Sequence, residues 1–399
     1  MKLFLLSVLF FSNVILAQNF KLTGQIRERT ILNNADFSDN TSAFTYSELR
    51  SRLGVNFIPN SSLAAFIQFQ DVRVFGSEAS TTDNSRNVDL LQAYGIVKNI
   101  FDLPVDWKFG RMQVKLANER LLGVSDWTTG RSFDGTTLGI KTSDVNFNVY
   151  AFQTNEKLLA GDSLDSFFGG ISADFKSIPN YEASVFILSE VKSKTSGNNT
   201  TTIGFFASGD HQRFHHGTEA AYQFGNIKIA NRNFTVSSCM FAYNFDYSFD
   251  FYWKPKAGGG IDFIGGDKNP NDKKYQSFST LYGTGHRFYG FMDYFKNIPA
   301  HTKNLGLVDL HLKFGIKPAE DFSVNLNLHK FLSDAEYTKQ NSSKTKDFGF
   351  EVDLFSNYRY DENLNLLIGL STFSPGEIFK EWKGKDNSLF GYFLATINL

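Results

Sequence analysis

Val308-Asp309-Leu310-His311-Leu312-Lys313-Phe314-Gly315-Ile316-Lys317 alternates without a break. Val308, Leu310, Leu312, Phe314 and Ile316 fall on one face, Asp309, His311, Lys313, Gly315 and Lys317 on the other. Residues 322–329 repeat the pattern, with Phe322, Val324, Leu326 and Leu328 against Ser323, Asn325, Asn327 and His329. Working outward, the same period opens the chain after Gln18: Phe20, Leu22, Gly24 and Ile26 alternate with Lys21, Thr23, Gln25, Arg27 and Arg29. It returns at Leu364, Leu366, Ile368 and Leu370 and in 389–399. Side chains of a strand point alternately to its two faces, so each stretch is a strand with one apolar and one polar face. Stretches of about 9–11 residues suit tilted strands that cross a bilayer, lipid side out and water side in. A soluble sandwich alternates too, usually in shorter strands, but its packed core does not hold rows of charge.

The links between strands carry a second signal. Short turns are expected at 59–60, 102–104, 143–144, 178–180, 246–248, 318–321 and 361–362. Longer polar connections are expected at about 31–43, 76–87, 115–134, 156–166, 191–200, 265–304, 333–345 and 374–387. Alternating short and long links predict an all-β fold: one transmembrane antiparallel β-barrel with tight periplasmic turns and long external loops. The strand count comes to about 18, an even number that leaves both termini on the periplasmic side. The pairing within 209–234 is the least defined. The last segment, 389–399, is expected to close the barrel against the strand starting at Phe20.

Composition agrees. Of 399 residues 43 are Phe, yet only 42% are hydrophobic, and the mean hydropathy is −0.25. A helical membrane protein needs repeated apolar runs of about 20 residues, and a disordered chain is poor in aromatics. Phe and Tyr gather near segment ends, as in interfacial girdles. A net charge of −1 excludes a bulk-electrostatic nucleic-acid binder. The single cysteine, Cys239, excludes an internal disulfide and a cysteine-based zinc site. Met1-Lys2, the apolar run 3–11 and Ala17 before Gln18 read as a Sec signal peptide, 1–17. The remaining 18–399 form one outer-membrane barrel domain, with membrane lipid and periplasmic assembly machinery as partners.

Function is expected in the lumen. Polar faces turned inward place Arg27, Arg29, Arg50, Arg52, Arg73, Arg111, Arg120 and Arg131 along the channel. Stacked guanidiniums at a constriction attract carboxylates and phosphates and repel cations. Glu48, Asp71, Glu119, Asp126 and Asp134 lie close in sequence, so the set reads either as a net basic constriction or as a salt-bridged brace of the wall.

Several of these residues also carry a family resemblance. The runs Gln68–Arg73, Ala93-Tyr94-Gly95, Phe109-Gly110-Arg111 and Asn118-Glu119-Arg120-Leu121-Leu122-Gly123 lead to Asp126-Trp127 and Gly130-Arg131-Ser132-Phe133-Asp134-Gly135. Glu219-Ala220-Ala221-Tyr222-Gln223-Phe224-Gly225 and Gly265-Gly266-Asp267 follow, with Gly265 where Ser is usual. Together they resemble the alginate-export porin family. The resemblance implies an 18-stranded barrel, an arginine-lined pore, and outward passage of an acidic polysaccharide such as alginate.

Other constellations point to no cofactor or metal. His211, His215 and His216 lack a carboxylate or cysteine at ligand spacing and read as a polar turn. Residues 267–278 open like a calcium loop, but Asp272 and Phe278 stand where Gly and Glu are needed. No Gly-x-Ser-x-Gly, phosphate-loop or His-Glu-x-x-His motif supports an enzyme. The leading expectation is therefore a passive porin for anionic solutes or an acidic polysaccharide. A plugged structural or adhesin barrel is the alternative, and a barrel enzyme a distant one.

Overall fold

The computed structural model describes residues 19–78, 80–81, 87–156, 165–192 and 197–399; the expected leader, 1–17, lies outside them. The wall is built from eighteen antiparallel strands closed on themselves. The first six are β1 (Phe20–Asn34), β2 (Phe44–Phe57), β3 (Leu63–Val74), β4 (Val88–Val97), β5 (Val105–Met112) and β6 (Phe133–Lys141). Then come β7 (Val145–Asn155), β8 (Ser166–Phe175), β9 (Tyr181–Lys192), β10 (Asn198–His211), β11 (Phe214–Ile229) and β12 (Arg232–Ser248). The circuit finishes with β13 (Lys256–Ile264), β14 (Leu307–Ala319), β15 (Phe322–Thr338), β16 (Lys344–Arg359), β17 (Leu364–Pro375) and β18 (Ser388–Asn398). The two-residue strand Lys274–Tyr275 adds a short parallel pairing to β12. No described helix is long and apolar enough to cross a membrane; the chain crosses with strands.

Closure follows the expectation. β18 pairs with β1 from Ile26↔Ile397 to Asn34↔Leu389, and β2 takes the other edge of β1. Every strand thus has two neighbours, the condition for satisfying backbone N–H and C=O groups inside hydrocarbon. The period of two survives intact. Leu22, Leu53, Ile187, Leu312 and Ile368 are exposed on the outer face, where lipid rather than water is their solvent. At one end of the barrel, where both chain termini emerge, stacked or tilted pairs such as Phe20–Phe57 and Trp107–Phe109 ring the wall.

The links depart from the expected scheme at three places. Residues 246–248 do not turn: they finish β12, and the turn is 249–255. Asp246 and Ser248 look like turn residues, but Asp246 is an inward-facing strand residue opposite Gly258. The region 209–234 resolves into three long strands joined by two-residue turns at 212–213 and 230–231, so one loop-end connection is short. The connection near 333–345 shrinks to 339–343, because β15 and β16 run on beyond the polar boundary.

Two long connections at the other end do not project as free loops. Residues 113–132 and 265–306 fold back into the barrel and bring an apolar core with them. Leu121, Leu122, Phe278, Phe295 and Ile298 are essentially inaccessible. Phe295 lies against Phe331, Phe348 and Phe379, with centroids 4.6, 5.2 and 5.5 Å away; Phe379 comes from the short helix α1 (Glu377–Trp382) in the connection before β18. A large part of the Phe content therefore fills the lumen, not only the girdles. Where the wall bends around this filling, Gly110 and Gly135 face one another in register, both at positive φ. A Cβ at either would stand 2.2–2.3 Å from a neighbouring carbonyl oxygen, so only glycine fits there.

Deleting 390–399 removes the partner of both β1 and β17 and opens two edges in lipid, each orphaned backbone group costing several kcal/mol. The truncated chain is expected to give no heat-modifiable band on semi-native gels, whereas the intact chain does.

Candidate functional site

The inward faces of β1 and β2 carry Arg27, Arg29, Arg50 and Arg52, with Arg27 directly opposite Arg50 and Arg29 opposite Glu48. Guanidiniums this close repel, so something must sit between them. It is the stretch 126–129 of the in-folded connection 113–132. Arg27 donates to the carbonyls of Asp126, Trp127 and Thr128 at 2.9, 2.8 and 3.1 Å. Arg50 donates to the carbonyls of Asp126 and Thr128, both at 2.9 Å, and to both Asp126 carboxylate oxygens at 3.1 Å. Arg52 pairs with Asp126 at 2.7 Å and donates to Thr129 O at 3.1 Å. Arg29 pairs with Glu48 and lies 4.4 Å from the centre of the Trp127 ring. Four guanidiniums here meet two carboxylates, Glu48 and Asp126. The ladder is a clamp in which four guanidiniums are held by backbone carbonyls and two carboxylates.

Arg120, from the same connection, crosses the lumen to the far wall. It reaches Glu219 on β11 at 3.2 Å, Asp262 on β13 at 2.8 Å and the Tyr289 hydroxyl at 3.2 Å, all buried. Burial works against its charge, but Asp262, Tyr289 and Glu219 outweigh it and hold the guanidinium above its ordinary pKa. Arg131 joins the two in-folded connections by donating to the carbonyls of Gly123, Tyr282 and Gly283. With no carboxylate on it, burial lowers its pKa. Glu119 braces the same junction, accepting from Val124 N–H at 3.1 Å and the Thr284 hydroxyl at 3.0 Å.

Two expected lumen arginines lie elsewhere. Arg73 shares the parity of exposed Ile67 and Phe69 and pairs across the strand with Leu49, so it and its partner Asp71 sit on the outer face. Arg111 shares the face of Trp107 and Phe109 and pairs with Asp134 at 2.7 Å, also outside. Counting by twos from Phe69 and Phe109 places both there; their charge alone suggested the lumen. These pairs stand at the loop end of the wall, above the apolar belt.

Beneath the clamp, on the turn side, lies an open chamber of about 550 Å³. Lys256, Lys313, Arg287 and His286 line it with Asp246, Asn325 and Asn327; Asp246 lies 3.5 Å from Lys256, Glu119 3.6 Å from Arg287 and Asp293 2.8 Å from His286. Its ceiling is aromatic: Trp127 stacks on His286 at 4.0 Å and meets Tyr392 edge-on at 5.2 Å. Lys313 was legible as a polar-face residue of 308–317. Arg287 and His286 were not, because nothing periodic marks a loop that folds inward. Of the 211–216 histidines, His211 ends β10 while His215 and His216 lie on β11; His215 pairs with Asp210, and His216 with the Tyr181 hydroxyl.

A closed eighteen-strand wall with apolar exterior, charged interior and lumen-filling loops defines an outer-membrane porin-like barrel. The family model described as alginate export matches residues 18–392, and the chain belongs to that family. No curated protein matches it in sequence. Among solved structures it is similar in fold to Pseudomonas aeruginosa OccK8 (OprE), at 10% identity and a TM-score of 0.61, covering 96% of this chain and 98% of that one. Acinetobacter baumannii OccAB4 is similar at 11% identity and a TM-score of 0.59, covering 96% and 99%. Pseudomonas aeruginosa OpdK with vanillate is similar at 12% identity and a TM-score of 0.60, covering 95% and 98%.

Arg120→Ala leaves Glu219 and Asp262 buried without their cation, a loss of about 3–5 kcal/mol for a pair of this kind. Arg73→Ala, on the outer rim, is expected to stay within about 0.5 kcal/mol of the parent. Urea unfolding followed by tryptophan fluorescence in matched detergent separates the two.

Proposed function

We propose that the barrel is a passive, anion-preferring channel of the outer membrane, passing carboxylated solutes and, in keeping with its family, acidic polysaccharide or its fragments. The observation that carries this reading is the chamber beneath the clamp, where the three cations Lys256, Lys313 and Arg287 meet two carboxylates, Asp246 beside Lys256 and Glu119 beside Arg287. A permeating carboxylate meets these cations beside a low-dielectric wall, where Coulomb energies exceed those in bulk water severalfold. Trp127, Phe291, Phe355 and Tyr392 add flat apolar surface beside the cations, a combination suited to a sugar ring or an aromatic ring bearing a carboxylate. That OpdK was solved with vanillate, a carboxylate, is consistent with such cargo. Transport of this kind needs no chemistry on the solute, and the pore-lining candidates serve as binding groups: Arg27, Arg29, Arg50 and Arg52 above, the chamber cations below. Membrane lipid and the periplasmic assembly machinery are its other proposed partners.

A second reading is favoured by the clamp itself. Arginines that hold 126–129 across the lumen describe a plugged, structural barrel as long as the clamp stays shut. Conductance separates the two. Purified protein in planar bilayers is expected to conduct, with a reversal potential in a salt gradient on the anion side. Lys256→Glu is expected to move that potential toward cations with little effect on barrel stability, since lumen substitutions mainly tune selectivity. Replacing Arg52 or Arg131 would in addition unseat the loop they hold. A wild-type barrel that is folded and silent, or cation-selective, overturns the channel for anions.

A further inference from the structure

A few strands round the wall from the clamp, the inward faces of β14, β15 and β16 carry a set of residues that the channel reading leaves unused. His311 and His329 stand directly opposite each other in register, and Asp309 lies one inward position along from His311. His329 Nδ1 is 2.9 and 3.0 Å from the two Asp309 oxygens, and His311 Nδ1 is 3.4 Å from the nearer one. One ligand atom from each of the three lies within 4.8 Å of the others, the one such grouping among the described residues. All three side chains are buried.

The far side of each imidazole decides how this set is read. His311 Nε2 is 2.8 Å from Asn244 Oδ1, an acceptor, so Nε2 carries the proton and Nδ1 of the neutral ring is a lone pair. That lone pair has no hydrogen-bond partner and points at a carboxylate oxygen, which is also an acceptor. His329 donates its Nδ1–H to Asp309, and its Nε2 lies 3.8 Å from Asp353 Oδ2. The buried lone pair of His311 aimed at a carboxylate is satisfied by a cation placed between them, which His329 Nδ1 joins by giving up its proton. The other charged groups facing the set are Asp353 and Glu351 on β16, Asp262 on β13, Lys313 on β14 and Arg120. Arg120 is already spent on Asp262 and Glu219. Both Asp353 oxygens and one of Glu351 also lack hydrogen-bond partners.

We propose that Asp309, His311 and His329 form a binding site for a divalent transition-metal ion of the zinc class. Two imidazoles and one carboxylate are a recurrent three-residue zinc set that leaves a fourth position for water, and imidazole favours such ions over magnesium or calcium. Asn244 accepts from the outer nitrogen of His311, the arrangement that fixes ring orientation in metal sites, and Asp353 lies 3.8 Å from the outer nitrogen of His329. The ion ties β14 to β15 directly, and β12 and β16 to them through the orienting partners.

The test uses the full-length refolded barrel in detergent, stripped with chelator and then titrated with Co²⁺ alone and Zn²⁺ alone. One metal per chain is expected by elemental analysis after dialysis, with visible Co²⁺ absorption that Zn²⁺ abolishes. His311→Ala with His329→Ala is expected to lose the metal, and His211→Ala with His215→Ala to keep it. Asn244→Ala leaves all three ligands and is expected to weaken binding about 10–100-fold; it serves also if the double variant does not fold. A folded wild type that takes up neither ion, an Asn244→Ala barrel with unchanged affinity, or binding that follows His211 and His215 overturns the proposal.

Discussion

Inside a bilayer a peptide group has no water to fall back on, and the molecule is organised by that fact. Every N–H and C=O at membrane depth needs a partner from the chain itself. The pairing of β18 with β1 over Gln25–Asn34 supplies the last of them. Once the wall is closed, it is one residue thick, and the two faces of each strand live in different solvents. The outer one keeps Leu, Ile and Phe exposed to lipid; the inner one is free to hold Arg, Glu, Asp and His.

That freedom creates a second problem, since charge facing a narrow lumen must be hydrated or paired. The chain solves it by folding two connections into its own pore. The carbonyls of 126–128 meet Arg27 and Arg50, and Arg120 crosses to Glu219 and Asp262. Because most of the acceptors on the clamp are backbone carbonyls, they quiet the arginines without cancelling their charge. Positive potential is retained while the loop is held. The chamber beneath inherits both properties, cationic and roofed by aromatic rings.

The wall was legible in the sequence because a period of two is forced residue by residue when one face meets lipid. The strands at 20–34, 307–319, 322–338 and 388–398 announce themselves that way. Arg27, Arg29, Arg50 and Arg52 were legible as inward for the same reason, and Arg73 and Arg111 were misplaced only where charge was weighed above parity. The filling of the lumen was not legible. Phe295 and Arg287 sit in a long connection without periodicity, and their partners Phe331, Phe348 and Glu119 are distant in sequence. The pairing of His311 with His329 needed the register of β14 on β15, which the turn at 320–321 and the irregularity between Ile316 and Ala319 set together.

Both Phe20 and Asn398 stand at the same end of the barrel, beside the short turns. During insertion, then, neither chain end has to be dragged through hydrocarbon; only connections between strands make that passage. The most demanding is 265–306, which carries Asp267, Lys268, Arg287, Asp293 and Lys296. Its polar groups reach their partners only from within the finished pore. The passage is therefore easiest while the growing sheet is still an open cradle, with the seam between β1 and β18 formed last.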